Sequence, residues 1–472
     1  MPALYRLVFW LALLAPAAAA PQSPPLPLPL TLPAEIEAAL SRAKLPRDAV
    51  VLLVVDADGK SPPRLAHRTA VPVNPASVAK LATTVAALEQ LGPAFTWATP
   101  VFVDGPVQGG TLQGNLYIRG MGDPKLVVER LWLLLRRVQG LGIRSIAGDI
   151  VLDQSAFETP AAEPGAFDGE PLRPYNAAPA ALLLNFKAVV MTFSPERGQA
   201  MVQVEPPLAG VQTPASVPTS AGECGDWRGA LKADFSDPGR IRFGGSYPTA
   251  CGERVWPVAY ADPRSYATRA VAGMWQELGG KLTGQTREGR VPPQLKPAFE
   301  LQSPALAEVI RDVNKFSNHV MAQQLFLSLS LQQKGVGTLE GSREALRGWW
   351  RERLGADVPT FDNGSGLSRD DRITAQQLGK LLQYAWASPL MPDLVSSLPL
   401  SGTDGTLRRN RGKSTGQAHL KTGSLRDVAA IAGYVHAASG RRYVLVAIAN
   451  HPNAGAMRPV FDTLVDWTAR EP

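Results

Sequence analysis

The chain has 472 residues, 45% of them hydrophobic and 19% charged, and this composition excludes an intrinsically disordered protein. The length exceeds that of a typical single domain, so we expect about two or three domains. The formal net charge is +7, but the basic residues are scattered rather than clustered, which argues against a nucleic-acid-binding protein. The charge is compatible with an anionic polymer as partner, and equally with a role in solubility alone.

Residues 1–20 have the layout of a secretory signal peptide. Arg6 precedes an apolar run, and small residues follow, with an Ala-x-Ala pattern that ends at Ala19. The next segment, residues 21–33, is dense in proline and predicts an extended arm. No later stretch approaches the roughly 20 consecutive apolar residues that span a bilayer, so we expect an exported, soluble protein without a stable membrane anchor.

After this arm the sequence predicts a short helix, a strand and a longer amphipathic helix. The corresponding segments are AEIEAALSRAK, AVVLLVVDADGK and the stretch from Asn74 to Gly92. Asn74 is a favourable N-cap, Pro75 suits the first helical position, and Gly92 suits the helix exit.

Between residues 93 and 290 the pattern changes to short alternating segments rich in Gly and Pro, which is typical of β-rich insertions. Helical patterns return near residue 303, and three strand patterns, AHLKTGSL, AAIAGYVHA and RRYVLVAIANH, precede a C-terminal amphipathic helix. We therefore predict a multidomain α/β plus β protein in which one α/β domain is interrupted by a large β-rich insertion. The predicted boundaries are 34–92 and 290–472 for the α/β domain, 93–186 and 258–289 for a first inserted domain, and 187–257 for a second inserted β domain.

The chain has two cysteines, Cys224 and Cys251, both in the second inserted domain. An exported chain meets oxidising conditions, so we predict a disulfide bond between them. The alternative is a pair of small buried residues with free thiols.

A Ser-x-x-Lys pattern occurs twice, at Ser41–Lys44 and at Ser77–Lys80. Residues three apart on a helix share a face, so each lysine would lie beside its serine. Ser77 falls in a predicted first helical turn, where the helix dipole favours developing negative charge, whereas Ser41 lies at a helix C-terminus, where it does not. A lysine can accept the serine proton only as a neutral amine, which requires burial or nearby positive charge. The spacing alone arises by chance in a chain of this length.

Two further clusters follow in a meaningful order. KFSNH occupies residues 315–319 at a predicted helix, and KTG, residues 421–423, lies on a predicted strand, where glycine lets a ligand or another backbone approach closely. Ser-x-x-Lys, then Ser-x-Asn, then Lys-Thr-Gly is the three-part signature of penicillin-recognising serine enzymes. The three clusters together are specific and favour Ser77 as the functional serine.

With these motifs the chain resembles the class C, low-molecular-mass penicillin-binding proteins, the D-alanyl-D-alanine carboxypeptidase/endopeptidases. The resemblance covers nearly the whole mature chain, including the long separation of Ser77 from Ser317, which in that family holds two extra domains. Further similar stretches are RGMGDPKL, PYNAAPAALLLNFK, DNGSGLSRDDRI and LPLSGTDGTL. The resemblance implies a penicillin-binding transpeptidase/β-lactamase-like catalytic domain, with an antiparallel sheet flanked by helices.

The resemblance also implies a role for each motif residue. Ser77 would be the acylated nucleophile, Lys80 its base, and Ser317 a proton relay toward the leaving amine. Lys421 and Thr422 would hold the terminal carboxylate of the substrate.

The oxyanion hole implied by the resemblance consists of the backbone N–H groups of Ser77 and Ser424, each worth about 3 kcal/mol of transition-state stabilisation. Gly423 would let the substrate approach the strand between them. The charge of Lys421 would also help to keep Lys80 neutral.

One position departs from the family pattern. The second motif normally ends in asparagine, and the register set by the following VMAQQL places His319 there, with Asn318 in the variable middle position. A neutral imidazole can imitate the asparagine, because one ring nitrogen donates and the other accepts. Either His319 substitutes, which we favour, or Asn318 turns into the site, or activity is reduced.

The resemblance further implies residues for substrate specificity. An acidic residue and an aromatic residue of the inserted part would flank the side-chain amine of the stem peptide, and FDGEPLRPY offers Asp168 or Glu170 with Tyr175. Arg369 and Arg426 occupy positions of further contacts, although Arg426 replaces a more usual neutral residue. A surface charge or a core tyrosine is the alternative for each.

The predicted function is the hydrolysis of D-alanyl-D-alanine, or of D-alanyl cross-links in peptidoglycan, by a penicillin-sensitive serine peptidase that forms an acyl-enzyme in the periplasm. Its partners would be peptidoglycan stem peptides and, as covalent inhibitors, β-lactam antibiotics. A β-lactamase or esterase on the same site, and a catalytically weak cell-wall-binding protein, are the alternatives. We expect no cofactor and no metal, since the remaining histidines lack metal-ligand spacing: His67, His419, His436 and His451.

Overall fold

The structure is a computed structural model that describes residues 32–160, 163–410 and 412–471. The predicted signal peptide, residues 1–20, and most of the proline-dense segment lie outside these ranges. A search of the described helices finds none with the length and apolar content needed to cross a bilayer.

A five-stranded antiparallel sheet lies at the centre of the domain that carries the three motifs. The N-terminal strand Val50–Asp56 pairs along its whole length with Arg442–Asn450, so the two ends of the chain form one sheet. The strand order across this sheet is Ala418–Leu425, Val428–His436, Arg442–Asn450, Val50–Asp56 and Leu65–His67.

Both faces of this sheet are covered by helices, which is why every residue of Val50–Asp56 is buried. Side chains alternate between the two faces: Leu52 and Val54 belong to one apolar core, and Val51 and Leu53 to the other. The first core is completed by the helices Ala34–Arg42 and Arg458–Ala469. The second core is formed with the helices Lys80–Leu91, Leu306–Lys315, His319–Lys334, Leu339–Leu354, Ala375–Ala387 and Met391–Ser397.

In the first inserted part, the described residues form two small sheets and two α-helices. Its larger sheet has the order Thr286–Glu288, Ile150–Asp153, Leu116–Arg119, Ala98–Val103 and Phe299–Gln302, and its smaller sheet the order Lys281–Leu282, Ser145–Ile146, Thr111–Leu112 and Val107–Gln108. The helices are Val128–Gly140 and Tyr266–Glu277. The strand Phe299–Gln302 pairs with Ala98–Val103, beyond the boundary expected at 289, and the chain returns to the helical layer at Leu306.

The second inserted part is built on another five-stranded sheet, with the order Tyr247–Pro248, Ser216–Ser220, Gln199–Glu205, Ala188–Glu196 and Arg254–Ala259. A short helix, Trp227–Leu231, and a two-stranded ribbon of Ala233–Asp234 and Arg242–Phe243 accompany it. Cys224 and Cys251 form a disulfide bond, which joins the segment before this helix to the turn Thr249–Cys251.

Candidate active site

Ser77 lies at the junction between the central sheet and the helix Lys80–Leu91. The amphipathic helix predicted from Asn74 begins instead with a 3-10 turn, Ala76–Ala79. Asn74 Oδ1 accepts the Ala76 N–H at 2.8 Å, and Ala76 has φ +46°, a left-handed conformation that is costly for a residue with a side chain. The strained residue directly precedes Ser77, of whose surface only 3% is exposed.

The side chains of Ser77, Lys80 and His319 form a triangle. Lys80 Nζ lies 3.1 Å from Ser77 Oγ and 3.2 Å from His319 Nδ1, and His319 Nε2 lies 3.4 Å from Ser77 Oγ. The other Ser-x-x-Lys pair is separate from this site, since Ser41 and Lys44 are both exposed on the surface.

The charge states of this triangle are set mainly by burial. Burial lowers the pKa of Lys80 well below its ordinary value, the charge of Lys421 lowers it further, and the carboxylate of Asp371 opposes this effect. Burial also lowers the pKa of His319, to which Lys80 and Lys421 add. These shifts favour a neutral amine at Lys80 and a neutral imidazole at His319.

The loop of residues 362–371, here called the carbonyl loop, covers one side of the triangle. Two side chains of the helix Lys80–Leu91 donate to its backbone: Lys80 Nζ to the Ser365 carbonyl, and Thr83 Oγ1 to the Gly364 carbonyl at 2.7 Å. Gly366 has φ +74°, and a Cβ there would lie 2.0 Å from the Ala76 carbonyl oxygen. Only glycine lets the loop pack this closely on the turn Ala76–Ala79.

The second motif joins the helices Leu306–Lys315 and His319–Lys334. Asn318 is the N-cap of the second helix, and its Oδ1 accepts the Met321 N–H at 3.0 Å. Because the Asn318 side chain is used in this cap, His319 is the residue that faces Lys80. Ser317, with φ +55°, directs its Oγ toward Lys421 Nζ at 2.8 Å.

The third motif lies on the edge strand Ala418–Leu425. Lys421 is fully buried, donates to Ser317 Oγ and to the Thr422 carbonyl at 2.7 Å, and has its pKa lowered by burial to about 7. A Cβ on Gly423 would lie 2.7 Å from the Pro75 carbonyl and 3.0 Å from Ser77 N, so this glycine lets the strand approach the turn that carries Ser77. Ser424, one residue further along, is exposed toward the cavity described next.

A cavity of about 690 Å³ opens beside His319. Asp168 accepts hydrogen bonds from Tyr175 Oη at 2.8 Å and Asn176 Nδ2 at 2.7 Å. The guanidinium of Arg369 lies over the ring of Phe167 at 4.9 Å. The residues that line the cavity are Phe167, Asp168, Tyr175, His319, Leu367, Arg369, Ser424, Leu425 and Arg426.

The cavity thus brings together Asp168, Tyr175, Arg369 and Arg426 from the sequence-predicted set. Glu170 is not in its lining, and its carboxylate pairs with Arg173 at 3.5 Å. The sequence marked this loop as the family-like stretch DNGSGLSRDDRI but did not predict the role of its backbone carbonyls, because a carbonyl contact does not depend on residue type.

An antiparallel sheet between helical layers, with a buried Ser-x-x-Lys turn facing a Lys-Thr-Gly edge strand, defines the class of penicillin-recognising serine enzymes. The chain belongs to the D-Ala-D-Ala carboxypeptidase 3 (S13) family, whose sequence model matches residues 32–471. This membership confirms the predicted family, fold class and serine-type D-alanyl-D-alanine carboxypeptidase function.

One curated protein and two solved structures illustrate what the chain is similar to in sequence and in fold. The chain is 29% identical over 411 residues to a D-alanyl-D-alanine carboxypeptidase of Actinomadura sp. (strain R39), which covers 81% of this chain and 74% of that protein. The fold of this chain is similar to that in the crystal structure of penicillin binding protein 4 (dacB) from Haemophilus influenzae. The TM-score is 0.72 at 21% identity, and the match covers 91% of this chain and 99% of the other. A penicillin G-acylated predatory endopeptidase from Bdellovibrio bacteriovorus has a TM-score of 0.51 at 16% identity, covering 88% and 90% of the two chains.

Proposed function

We propose that this chain is an exported D,D-peptidase of the periplasm that hydrolyses the terminal D-alanyl-D-alanine bond of peptidoglycan stem peptides, or the D-alanyl bond of a cross-link, through an acyl-enzyme on Ser77. The observation that carries the proposal is the triangle of Ser77, Lys80 and His319 beside the buried Lys421. The signal-like segment 1–20 supports export. β-Lactam antibiotics would acylate the same serine, and the existence of a penicillin G-acylated form of the structurally similar Bdellovibrio endopeptidase supports this expectation.

The hydrogen-bond pattern around Lys80 supports its role as the base. A neutral amine has two N–H donors and one lone pair, and the Ser365 carbonyl can only accept, so it takes one N–H. If His319 Nδ1 accepts the second N–H, the lone pair is left for the proton of Ser77 Oγ at 3.1 Å. The carbonyl loop and His319 together would therefore orient Lys80 for proton abstraction.

This pattern also selects the tautomer of His319. With Nδ1 as the acceptor from Lys80, the ring proton would reside on Nε2, which lies 3.4 Å from Ser77 Oγ. A neutral imidazole thereby supplies one acceptor and one donor, as the carboxamide of the usual asparagine would. A protonated imidazole would have no acceptor nitrogen. Burial and the neighbouring lysines disfavour this protonation, because they lower the pKa of His319.

Acylation would then proceed by attack of Ser77 Oγ on the carbonyl carbon as Lys80 takes the serine proton. The N–H groups of Ser77 and Ser424 would stabilise the oxyanion. Collapse of the tetrahedral intermediate breaks the C–N bond, and the proton held by Lys80 returns, with Ser317 as relay, to the leaving amine. Water attacks the ester in the second half-reaction, with Lys80 again as base.

The cavity supports a charged side chain on the donor peptide. Asp168 offers a carboxylate to a side-chain ammonium group, and Tyr175 fixes its orientation through the 2.8 Å hydrogen bond. Arg369 and Arg426 place positive charge at the same opening, so a diamino acid that also bears a carboxylate would satisfy both signs.

Labelling with a fluorescent penicillin tests the proposal. The wild-type protein should be labelled, Ser77→Ala should not, and Ser41→Ala should be labelled like the wild type because its serine lies in the exposed Ser-x-x-Lys pair. Release of D-alanine from a stem pentapeptide that ends in D-Ala-D-Ala then measures the peptidase reaction. A wild-type protein that is neither labelled nor active would overturn the proposal, and rapid turnover of the penicillin without D-alanine release would favour a β-lactamase.

A further inference from the structure

A second hydroxyl group lies beside the Lys-Thr-Gly motif. Thr422 Oγ1 donates to Thr406 Oγ1 at 2.7 Å. Thr406 belongs to the loop of residues 401–407, here called the threonine loop, and is exposed, so a ligand can reach the pair. The motifs of the sequence give Thr406 no role.

The threonine loop is fixed to the helix that leads into Ser317. Asp404 accepts the Leu400 N–H at 2.8 Å and pairs with Lys315 Nζ at 2.6 Å, and Lys315 is only 5% exposed. Gly405 has φ +53°, and a Cβ there would lie 2.5 Å from the Lys315 carbonyl oxygen. These contacts hold Thr406 in register with both Ser317 and the edge strand, so the 2.7 Å contact is built into the fold rather than a chance meeting of two surface side chains.

The proton count of the two hydroxyls suggests what they do together. Each threonine hydroxyl has one proton and two lone pairs. In the structure, the hydroxyl proton of Thr422 is donated to Thr406 Oγ1. To bind a carboxylate, Thr422 must turn this proton to the anion, and Thr406 can then donate its own proton to Thr422 Oγ1. Neither oxygen loses its partner, and the hydroxyl of Thr422 is held in the donating orientation.

We propose that Thr406 is a positioning residue for recognition of the substrate's terminal carboxylate, acting through Thr422. The inference rests on the proposed function, because it requires Thr422 to bind that carboxylate. It extends the anion site from the buried Lys421, whose Nζ contacts Ser317 Oγ at 2.8 Å, to the exposed threonine loop. Hydrogen bonds to a charged group are stronger than neutral ones, so the contribution of Thr406 should appear only with anionic ligands.

Two thioesters with the same N-acyl-D-alanyl group test this selectivity. One has thioglycolate as leaving group and carries a carboxylate, and the other has ethanethiol and carries none, so thiol release reports both reactions. We expect Thr406→Val to lower kcat/KM for the thioglycolate ester about 10-fold and to leave the ethanethiol ester within about two-fold. Thr406→Ser should restore the wild-type ratio, since it restores the hydroxyl.

Thr403→Val is the matched control, because Thr403 is exposed in the same loop and its Oγ1 contacts only the Ser401 carbonyl, at 3.3 Å, among the described residues. This variant should behave like the wild type with both esters. Equal losses for the two esters in Thr406→Val, or no loss for either, would overturn the inference while the proposed function stands. A wild-type protein that cleaves neither ester and is not labelled by penicillin would overturn both.

Discussion

Replacement of His319 tests the least usual feature of the site. His319→Ala removes the contact of Nδ1 with Lys80 Nζ at 3.2 Å and that of Nε2 with Ser77 Oγ at 3.4 Å. At about 1 kcal/mol of net stabilisation for each hydrogen bond, the loss is about 2 kcal/mol, or about 30-fold in the acylation rate. Asparagine places an acceptor close to the position of Nδ1 but is too short to replace Nε2. His319→Asn should therefore stay within about five-fold of the wild type.

The assay is the second-order rate constant for acylation by a fluorescent penicillin at neutral pH. Asn318→Ala is the matched control: it removes the cap on Met321 N and should cost about 1 kcal/mol of folding stability, with little effect on acylation. A wild-type rate in His319→Ala, or a larger loss in Asn318→Ala than in His319→Ala, would refute the assignment of His319 to the site.

The pH dependence of the same rate gives an independent test. The ordinary pKa of histidine is about 6.5, and burial with two neighbouring lysines moves the pKa of His319 well below this value. The neutral imidazole that the proposed mechanism requires should therefore persist at pH values below the ordinary pKa of histidine. The wild-type acylation rate should not fall as the pH is lowered through about 6.5, unless His319→Asn shows the same fall. Such a drop would mean that His319 titrates normally.

Three further predictions concern the surrounding structure. Gly335 has φ +77°, and a Cβ there would have nothing among the described residues within 4 Å, so Gly335→Ala should lower the free energy of unfolding by only about 1 kcal/mol, as measured by denaturant unfolding. In Gly366→Ala the new Cβ would lie 2.0 Å from the Ala76 carbonyl oxygen, so this variant should lose more than about 3 kcal/mol and should not be labelled by penicillin. Burial raises the pKa of Asp123 from 3.8 to about 6, so the wild-type protein loses stability as the pH rises through this range. Asp123→Asn should therefore be up to about 3 kcal/mol more stable than the wild type above pH 6 and no more stable below pH 3.8. A stability difference that does not change with pH would contradict this prediction. Asp168→Asn should lower kcat/KM about 10-fold for stem peptides with a side-chain amine but leave penicillin acylation unchanged, and equal losses for both would argue against the pocket assignment.

The sheet that carries the site was predictable because its strands have clear local patterns. The segment AHLKTGSL coincides with the strand Ala418–Leu425, and the apolar run near residue 50 coincides with Val50–Asp56. The partners of the short inserted strands were not predictable in this way. Phe299–Gln302 pairs with Ala98–Val103, far away in the chain, and local alternation encodes a face but not a partner.

The site divides along the same line. Ser77 and Lys80 are three residues apart, so the spacing itself places them together. The choice between His319 and Asn318 depended on the register of the next helix, and the cap on Met321 N supplies the physical reason, because Asn is a far better N-cap than His. Thr406 contacts Thr422 because the threonine loop folds against the edge strand. Two threonines 16 residues apart give no sequence signal of such a contact.

The proposed role of Lys80 as a base is the feature of the site that the sequence predicts least directly. A lysine three residues after a serine is ordinarily a cation, and a cation cannot accept the serine proton. Here Lys80 is fully buried, its Nζ is held by the Ser365 carbonyl, and the charge of Lys421 lowers its pKa further. The groups that orient its amine and favour its neutral form come from segments hundreds of residues away in the chain. The motif therefore identifies the pair, but the packing of the carbonyl loop and the edge strand against the turn Ala76–Ala79 creates the environment that the proposed role of Lys80 as a base requires.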